Sequence, residues 1–261
     1  MNISLIGKKA MVCGSTKGIG NACAHALASI GADIVLVARN EDALRKTSLE
    51  ISEKYKVQTT YIVADFADST SLKSIIQEYS NKNTIDILVN NTGGPPAGLA
   101  SEANEMEFIA AFNNHLICNH ILATALIPGM KKSGSGRIIN IISTSVKQPL
   151  PNLGVSNTIR AAVANWSKTM ANELGQYGIT VNNVLPGATN TARLEAIMNN
   201  KAAKLSASKE SIEKEMKSEI PMRRFATPEE IANAVAFLAS PAAAYINGIN
   251  LPVDGGRTTC L

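Results

Sequence analysis

The sequence predicts a single-domain α/β fold, a doubly wound parallel sheet of about seven strands with helices on both faces. Three observations carry that expectation. Short Val/Ile-rich runs alternate with longer segments of helical periodicity, the pattern of βαβ units whose strands are buried on both sides. A glycine-rich turn, Cys13-Gly14-Ser15-Thr16-Lys17-Gly18-Ile19-Gly20, joins the first apolar run to the first helical pattern. The remaining loops with chemistry-bearing residues all follow strands, and right-handed crossovers bring such loops to one edge of the sheet.

In chain order the predicted strands are Lys9–Cys13, Asp33–Val37, Gln58–Val63, Ile85–Asn90, Arg137–Ile142, Thr180–Leu185 and Asn250–Pro252. Gly7, Gly31, Gly136 and Gly178 precede four of them and are read as turn or helix-end residues. Helical patterns fill the intervals, the two longest over Asn104–Met130 and Asn157–Tyr177. The segment Thr189–Ile220 is more polar, rich in Lys, Ala, Ser and Glu, and ends before Pro221; it reads equally as a lid or as a surface helical insertion. No second domain is needed, so residues 1–261 are expected to form one unit.

Composition narrows the function classes. With 45% hydrophobic and 18% charged residues the chain is expected to bury a large core, and no apolar run is long enough for a bilayer. The N-terminus has no charged head before an apolar stretch, so a cytoplasmic location without a secretory signal is expected. Cysteines at 13, 23, 118 and 260 have neither disulfide-framework density nor metal-ligand spacing, so they read as reduced thiols and no metal is expected. The formal charge of +4 is spread without a basic tract, which argues against nucleic acid as a partner.

The glycine turn points to a dinucleotide. Glycines at 14, 18 and 20 let the backbone turn sharply and let a diphosphate approach the N–H groups opening the next helix, where the dipole favours negative charge. After the second strand, where such sites often place an acid on the adenosine ribose, the chain has Ala38-Arg39-Asn40. Arg39 would attract a 2′-phosphate and Lys17 could reach the same group, so NADP(H) is favoured over NAD(H). Asp65 and Phe66 after the third strand are candidates for the adenine. Asn90-Asn91-Thr92-Gly93-Gly94 after the fourth offers amides and a close-approach backbone, with turn stabilisation and strand-to-strand amide bonding as part of the asparagines' role.

These residues resemble the short-chain dehydrogenase/reductases, a single-domain Rossmann group, over nearly the whole chain. The likeness rests on Gly14–Gly20, Asp65, Asn90-Asn91-Thr92-Gly93, Pro186-Gly187, Thr227-Pro228-Glu229-Glu230-Ile231 and Val253-Asp254-Gly255-Gly256. The layout is similar to that of the 3-oxoacyl-[acyl-carrier-protein] reductases. The resemblance implies hydride transfer between a nicotinamide and a small or carrier-bound carbonyl substrate, with Pro186 and Gly187 beside the cofactor. It also implies an Asn, a Ser and a Tyr-x-x-x-Lys turn for catalysis. Ser143 matches the serine, but the tyrosine position falls on Ser156, the lysine position on Arg160, and the asparagine position on His115, with Asn114 one residue away.

Arg160 can hold a ribose hydroxyl or an anionic oxygen but cannot pass on a proton, and Ser156 can orient or relay. Among these positions His115 alone is expected to titrate near physiological pH, so an active enzyme would take its proton from His115 or water behind it, with Lys147 a second donor on the serine loop. The alternative is a dinucleotide-binding pseudo-enzyme acting as sensor or subunit. The two long helices carry small and apolar residues, and the equivalent helices of related reductases form oligomer faces, so a homodimer or homotetramer is expected.

Overall fold

A computed structural model describes residues 1–260. In chain order the elements are β1 (Lys9–Cys13), α1 (Gly18–Ser29), β2 (Asp33–Ala38), α2 (Glu41–Tyr55), β3 (Thr59–Val63), α3 (Ser69–Lys82), β4 (Ile87–Asn90), α4 (Glu105–Phe112), α5 (Cys118–Ser133), β5 (Gly136–Ile141), α6 (Gly154–Leu174), β6 (Ile179–Pro186), α7 (Ala192–Leu205), α8 (Lys209–Ser218), α9 (Pro228–Ala239) and β7 (Asn250–Val253). The strands form one sheet in the order β3-β2-β1-β4-β5-β6-β7, every pair parallel. The order reverses between β1 and β4, the switch point at which a cleft opens beyond the strand ends.

Both faces of the sheet are covered, which is why the strands read as continuous apolar runs. On one side Val12, Ile34, Leu36 and Val89 pack with Leu27 of α1 and Ile231 and Val235 of α9. On the other Met11, Val35, Leu88, Ile138 and Val181 pack with Leu72 and Ile76 of α3, Leu122 and Leu126 of α5 and Met170 of α6. Helices α7 and α8 and the segment that follows them make a small apolar cluster of their own, from Leu194, Met198, Ile212, Ile220 and Phe225.

A row of asparagines crosses this second face. Asn90, Asn140, Asn183 and Asn250 stand opposite one another in register on β4, β5, β6 and β7. Asn90 Nδ2 donates to Asn140 Oδ1 (2.8 Å), Asn140 Nδ2 to Asn183 Oδ1 (3.0 Å), and Asn183 Nδ2 to Asn250 Oδ1 (2.8 Å). Ser167 of α6 closes the network, accepting from Asn140 Nδ2 at 2.9 Å and donating to Asn183 Oδ1 at 2.8 Å. Buried amides without partners would each cost about 1–3 kcal/mol, so the row holds only as a connected set. It fixes the register of four strands directly beneath the cleft.

Two expectations are corrected. The helix expected over Asn104–Met130 is two helices joined by a π-helical turn, Asn113–Ile117, where an extra residue enters the ladder and bonds run from i to i+5. Gly136 is not a turn residue but the first residue of β5, paired with Ile179; a Cβ there would lie 2.6 Å from Met130 Sδ. Gly7, Gly31 and Gly178 do adopt positive φ, as turn positions require.

Candidate active site

The glycine turn sits at the switch point and is packed too closely for side chains. A Cβ on Gly20 would fall 2.2 Å from the Gly14 carbonyl oxygen, and one on Gly14, itself at φ +59°, would fall 2.7 Å from Asn91. Asn91 crosses from β4 to tie the turn down, its Nδ2 donating to the carbonyls of Cys13 (3.2 Å) and Gly14 (3.4 Å). Ser15 is fully buried, and both its N–H and its hydroxyl turn to the Val37 carbonyl at 3.4 Å, so its hydroxyl anchors the turn to β2 rather than facing the cleft.

Helix α1 begins here without a cap. Lys17 precedes it in extended conformation with no side-chain bond to the first turn, and that turn carries no acid. Helices α2, α3, α4, α7, α8 and α9 by contrast have Asn40, Asp68, Asn104, Thr191, Ser208 and Thr227 accepting from their first-turn N–H groups. The orphan donors of α1 and the space left by absent Cβ atoms fit a dinucleotide diphosphate. Ile19 packs its side chain inward on the α1 face of the core. Arg39 and Asp65, at the ends of β2 and β3, are both exposed, with Nη1 and Oδ2 4.0 Å apart. Asp65 also accepts from the Ala67 N–H, and Phe66 packs partly against the α3–α5 side of the core.

Asn90 faces the sheet interior as the first rung of the asparagine row, leaving Asn91 as the residue that meets the turn. Gly93 has open space where a Cβ would lie, whereas at Gly94 a Cβ would strike the Arg193 guanidinium at 2.5 Å. Pro186 ends β6, and Gly187 passes so close to Asp254 that a Cβ would meet its Cα at 2.7 Å. These loops surround the strand ends as the sequence pattern predicted.

On the other side of the cleft, Ser143 precedes the short turn Thr144–Val146, and its Oγ accepts from the Ser145 N–H at 3.1 Å. Ser156 and Arg160 lie one turn apart on α6, both buried. Arg160 Nη1 donates to the Ile141 carbonyl (3.1 Å), two residues before Ser143, which draws α6 and the serine loop together. The Ser156 hydroxyl has no side-chain hydrogen bond among the described residues, yet it is not sealed from solvent. The pair keeps the four-residue spacing on one helix that the sequence pattern expected of the motif.

His115 corrects an expectation. It sits in the π-helical turn, 2% exposed, with Nδ1 2.5 Å from Thr92 Oγ1. Burial, and then the charges of Arg160 and Arg193, push its pKa down to about 2. The ring is therefore neutral through the physiological range and is not the titrating acid that residue type alone suggested. The Thr92–His115 bond links the cofactor side, through Asn91, to the floor where Arg160 lies.

Thr92 entered the sequence pattern only as part of the Asn-Asn-Thr-Gly run, with no role of its own, and Thr191 and Arg193 were not singled out. Thr191 caps α7 and brings its methyl over the glycine turn, 3.2 Å from where a Gly18 Cβ would stand. Arg193 reaches across the cleft mouth, Nη1 donating to the Gly94 carbonyl (2.7 Å) and Nη2 to that of Pro95 (3.1 Å). One signal was available: an arginine in the first turn of a helix opposes the macrodipole, so its charge needs another reason to be there. Buried Cys13, Cys23 and Cys118 have thiol pKa values raised by desolvation, that of Cys118 to about 11, so they are inert at neutral pH.

A short-chain dehydrogenase family described as enoyl-(acyl carrier protein) reductase matches residues 14–258. The 3-oxoacyl-[acyl-carrier-protein] reductase FabG of Vibrio cholerae is 34% identical over 97% of this chain and 98% of its own length. The NADPH-dependent reductase BacG of Bacillus subtilis is 32% identical over 95% and 97%. Among solved structures, L-sorbose reductase from Gluconobacter frateurii, complexed with NADPH and L-sorbose, superposes with a TM-score of 0.93 at 32% identity, covering 100% of both chains. The chain belongs to the short-chain dehydrogenase/reductase family.

Proposed function

We propose that the chain is an NADP(H)-dependent oxidoreductase that interconverts a carbonyl and an alcohol on a small or acyl-carrier-bound substrate, with a proton route rebuilt around Ser143, Ser156 and Arg160. The uncapped α1 N-terminus beneath the glycine turn is the observation that carries the cofactor side. There Gly14, Gly18, Gly20 and the main chain beside Asn91 and Gly93 admit the diphosphate, Lys17 and Arg39 take the 2′-phosphate, Asp65 and Phe66 flank the adenine, and Pro186 and Gly187 border the nicotinamide end. Bound NADPH supplies the hydride. The hydroxyls of Ser143 and Ser156 hold the substrate oxygen, and the Arg160 guanidinium, still charged at neutral pH, stabilises negative charge developing there.

His115 does not release a proton near neutrality, so the proton comes from water through a serine hydroxyl. Neutral His115 orients Thr92 and the cleft floor. Losing a positioned general acid forfeits about 10²–10⁴ in rate, so turnover on unactivated ketones is slow. Helices α7 and α8 act as a lid, since Thr191 and Arg193 are the points at which this segment touches the cleft. The chain works as a homodimer or homotetramer; Met106, Ile109 and Phe112 lie three residues apart on α4 and expose an apolar stripe fitted to a second copy.

NADPH binding by fluorescence, followed by a carbonyl panel read at the nicotinamide absorbance, tests this reading. Binding and slow oxidation are expected, with Arg39→Asp shifting the preference at least about tenfold toward NADH. Tight binding without oxidation of any panel member favours the pseudo-enzyme instead. An unchanged preference in Arg39→Asp removes Arg39 from the 2′-phosphate site.

A further inference from the structure

The floor of the cleft holds positive charge that no carboxylate answers. Arg160 is 8% exposed, and its single partner among the described residues is the neutral Ile141 carbonyl. A guanidinium carries five donors, and the unbonded nitrogens of Arg160 are not sealed within the protein. Arg193 approaches from α7, its own partners again neutral carbonyls, those of Gly94 and Pro95. Among the described residues neither arginine makes a salt bridge. Beyond the effect of burial, the charges of both arginines hold the His115 pKa down, and that of Arg193 lowers the Arg160 pKa.

Burying a cation without a counter-charge costs several kcal/mol, and a second cation nearby raises that cost. The arrangement is stable enough to form but is relieved by any anion that meets both forks, the geometry in which arginine binds carboxylate or phosphate best. The dinucleotide phosphates do not fill this role in the reading above, because α1, Lys17 and Arg39 hold them on the other side of Asn91.

We propose that the substrate carries an oxyanionic group, a carboxylate or a phosphate, close to its reacting carbonyl, and that Arg160 and Arg193 together receive it. This rests on the reductase reading and narrows its substrate class. Because Arg160 belongs to α6 and Arg193 to α7, an anion held by both also ties the lid to the catalytic helix.

Calorimetric titration of the NADP⁺-saturated protein with malonate, with inorganic phosphate and with neutral malonamide tests the proposal without requiring turnover. Malonate or phosphate is expected to bind at least about tenfold tighter than malonamide, malonate marking a carboxylate substrate and phosphate a phosphorylated one. Arg193→Met, at an exposed position that leaves the fold intact, is expected to remove at least about tenfold of that affinity, and Arg193→Lys to restore part of it. Arg160→Met should weaken the anion in the same way. Equal affinities for malonamide and both anions, or anion binding unchanged in Arg193→Met, overturn the proposal. Failure of NADP⁺ itself to bind overturns the reductase reading instead, and the same titrations on the cofactor-free protein, wild type against Arg193→Met, then still decide the anion site.

Discussion

At the β1–α1 turn a Cβ on Gly20 would lie 2.2 Å from the Gly14 carbonyl, whereas on α6 the fold accepts Ser156 and Arg160 at the tyrosine and lysine positions of the family motif with no break in the helix. The first region is constrained by backbone contact, which few residues satisfy. The second is constrained by what its side chains must do chemically, and the helix forms whichever residues stand there. One side of the cleft therefore keeps the family pattern while the other departs from it, and nothing in packing forces the two to change together. The asparagine row beneath both sides is the structural element they share.

The largest expected effect tests the constrained side. Gly20→Ala should weaken NADPH binding by about a thousandfold, because relieving the Cβ contact displaces the carbonyl of Gly14 and the turn with it; fluorescence titration reads this. An affinity near wild type would show that the turn yields more easily than its packing implies. Next, Asn140→Ala should destabilise the protein by about 3 kcal/mol in urea unfolding, since it strips partners from Asn90, Asn183 and Ser167 at once. A loss below 1 kcal/mol, about what a single exposed hydrogen bond contributes, would remove the row as the common floor.

The permissive side is tested by restoring its chemistry. Ser156→Tyr combined with Arg160→Lys should raise kcat/KM on a simple ketone by about a hundredfold and introduce a pH dependence that the wild type lacks. No gain would mean that more than these two positions separates the chain from its relatives.

The smallest effect concerns His115. Its folded pKa lies near 2 and its unfolded value near 6.5, so below pH 6.5 the unfolded chain binds more protons than the folded one. Its contribution to stability is complete above about pH 6.5 and is lost as pH falls toward 2, at about 1.4 kcal/mol per pH unit well inside that window. His115→Gln should flatten the decline in unfolding free energy between about pH 6 and 4, whatever its effect at pH 7. An unchanged slope would place the imidazole in a more solvated setting than the cleft floor.

Much of the fold was legible in the sequence because strand and helix patterns are local. Lys9–Cys13 was located to the residue, and the remaining strand ends fell within two, since apolar runs bounded by turns mark strands buried on both faces. The π-helical turn was not legible, because one extra residue in an otherwise continuous helical pattern leaves the composition unchanged. At the site, the glycines and Asn91 were singled out by type and spacing, and the structure packs them against one another at the turn. Asn90 was read as a cofactor residue as well as a strand-bonding one, and the bond from its Nδ2 to Asn140 Oδ1 shows the strand-bonding part.

What the sequence by itself determined is the layered parallel sheet, the glycine turn at its switch point, the preference for NADP(H) suggested by Arg39 and Lys17, and the absence of any Tyr-x-x-x-Lys run. Each follows from periodicity, backbone sterics or residue type, which are properties of short segments. Tertiary structure alone decided that His115 is neutral, that four asparagines form one row, and that Arg193 comes to the cleft from a segment 33 residues beyond Arg160 in the chain. Desolvation and charge proximity depend on which distant segments meet, and that is set only when the chain has closed around its core.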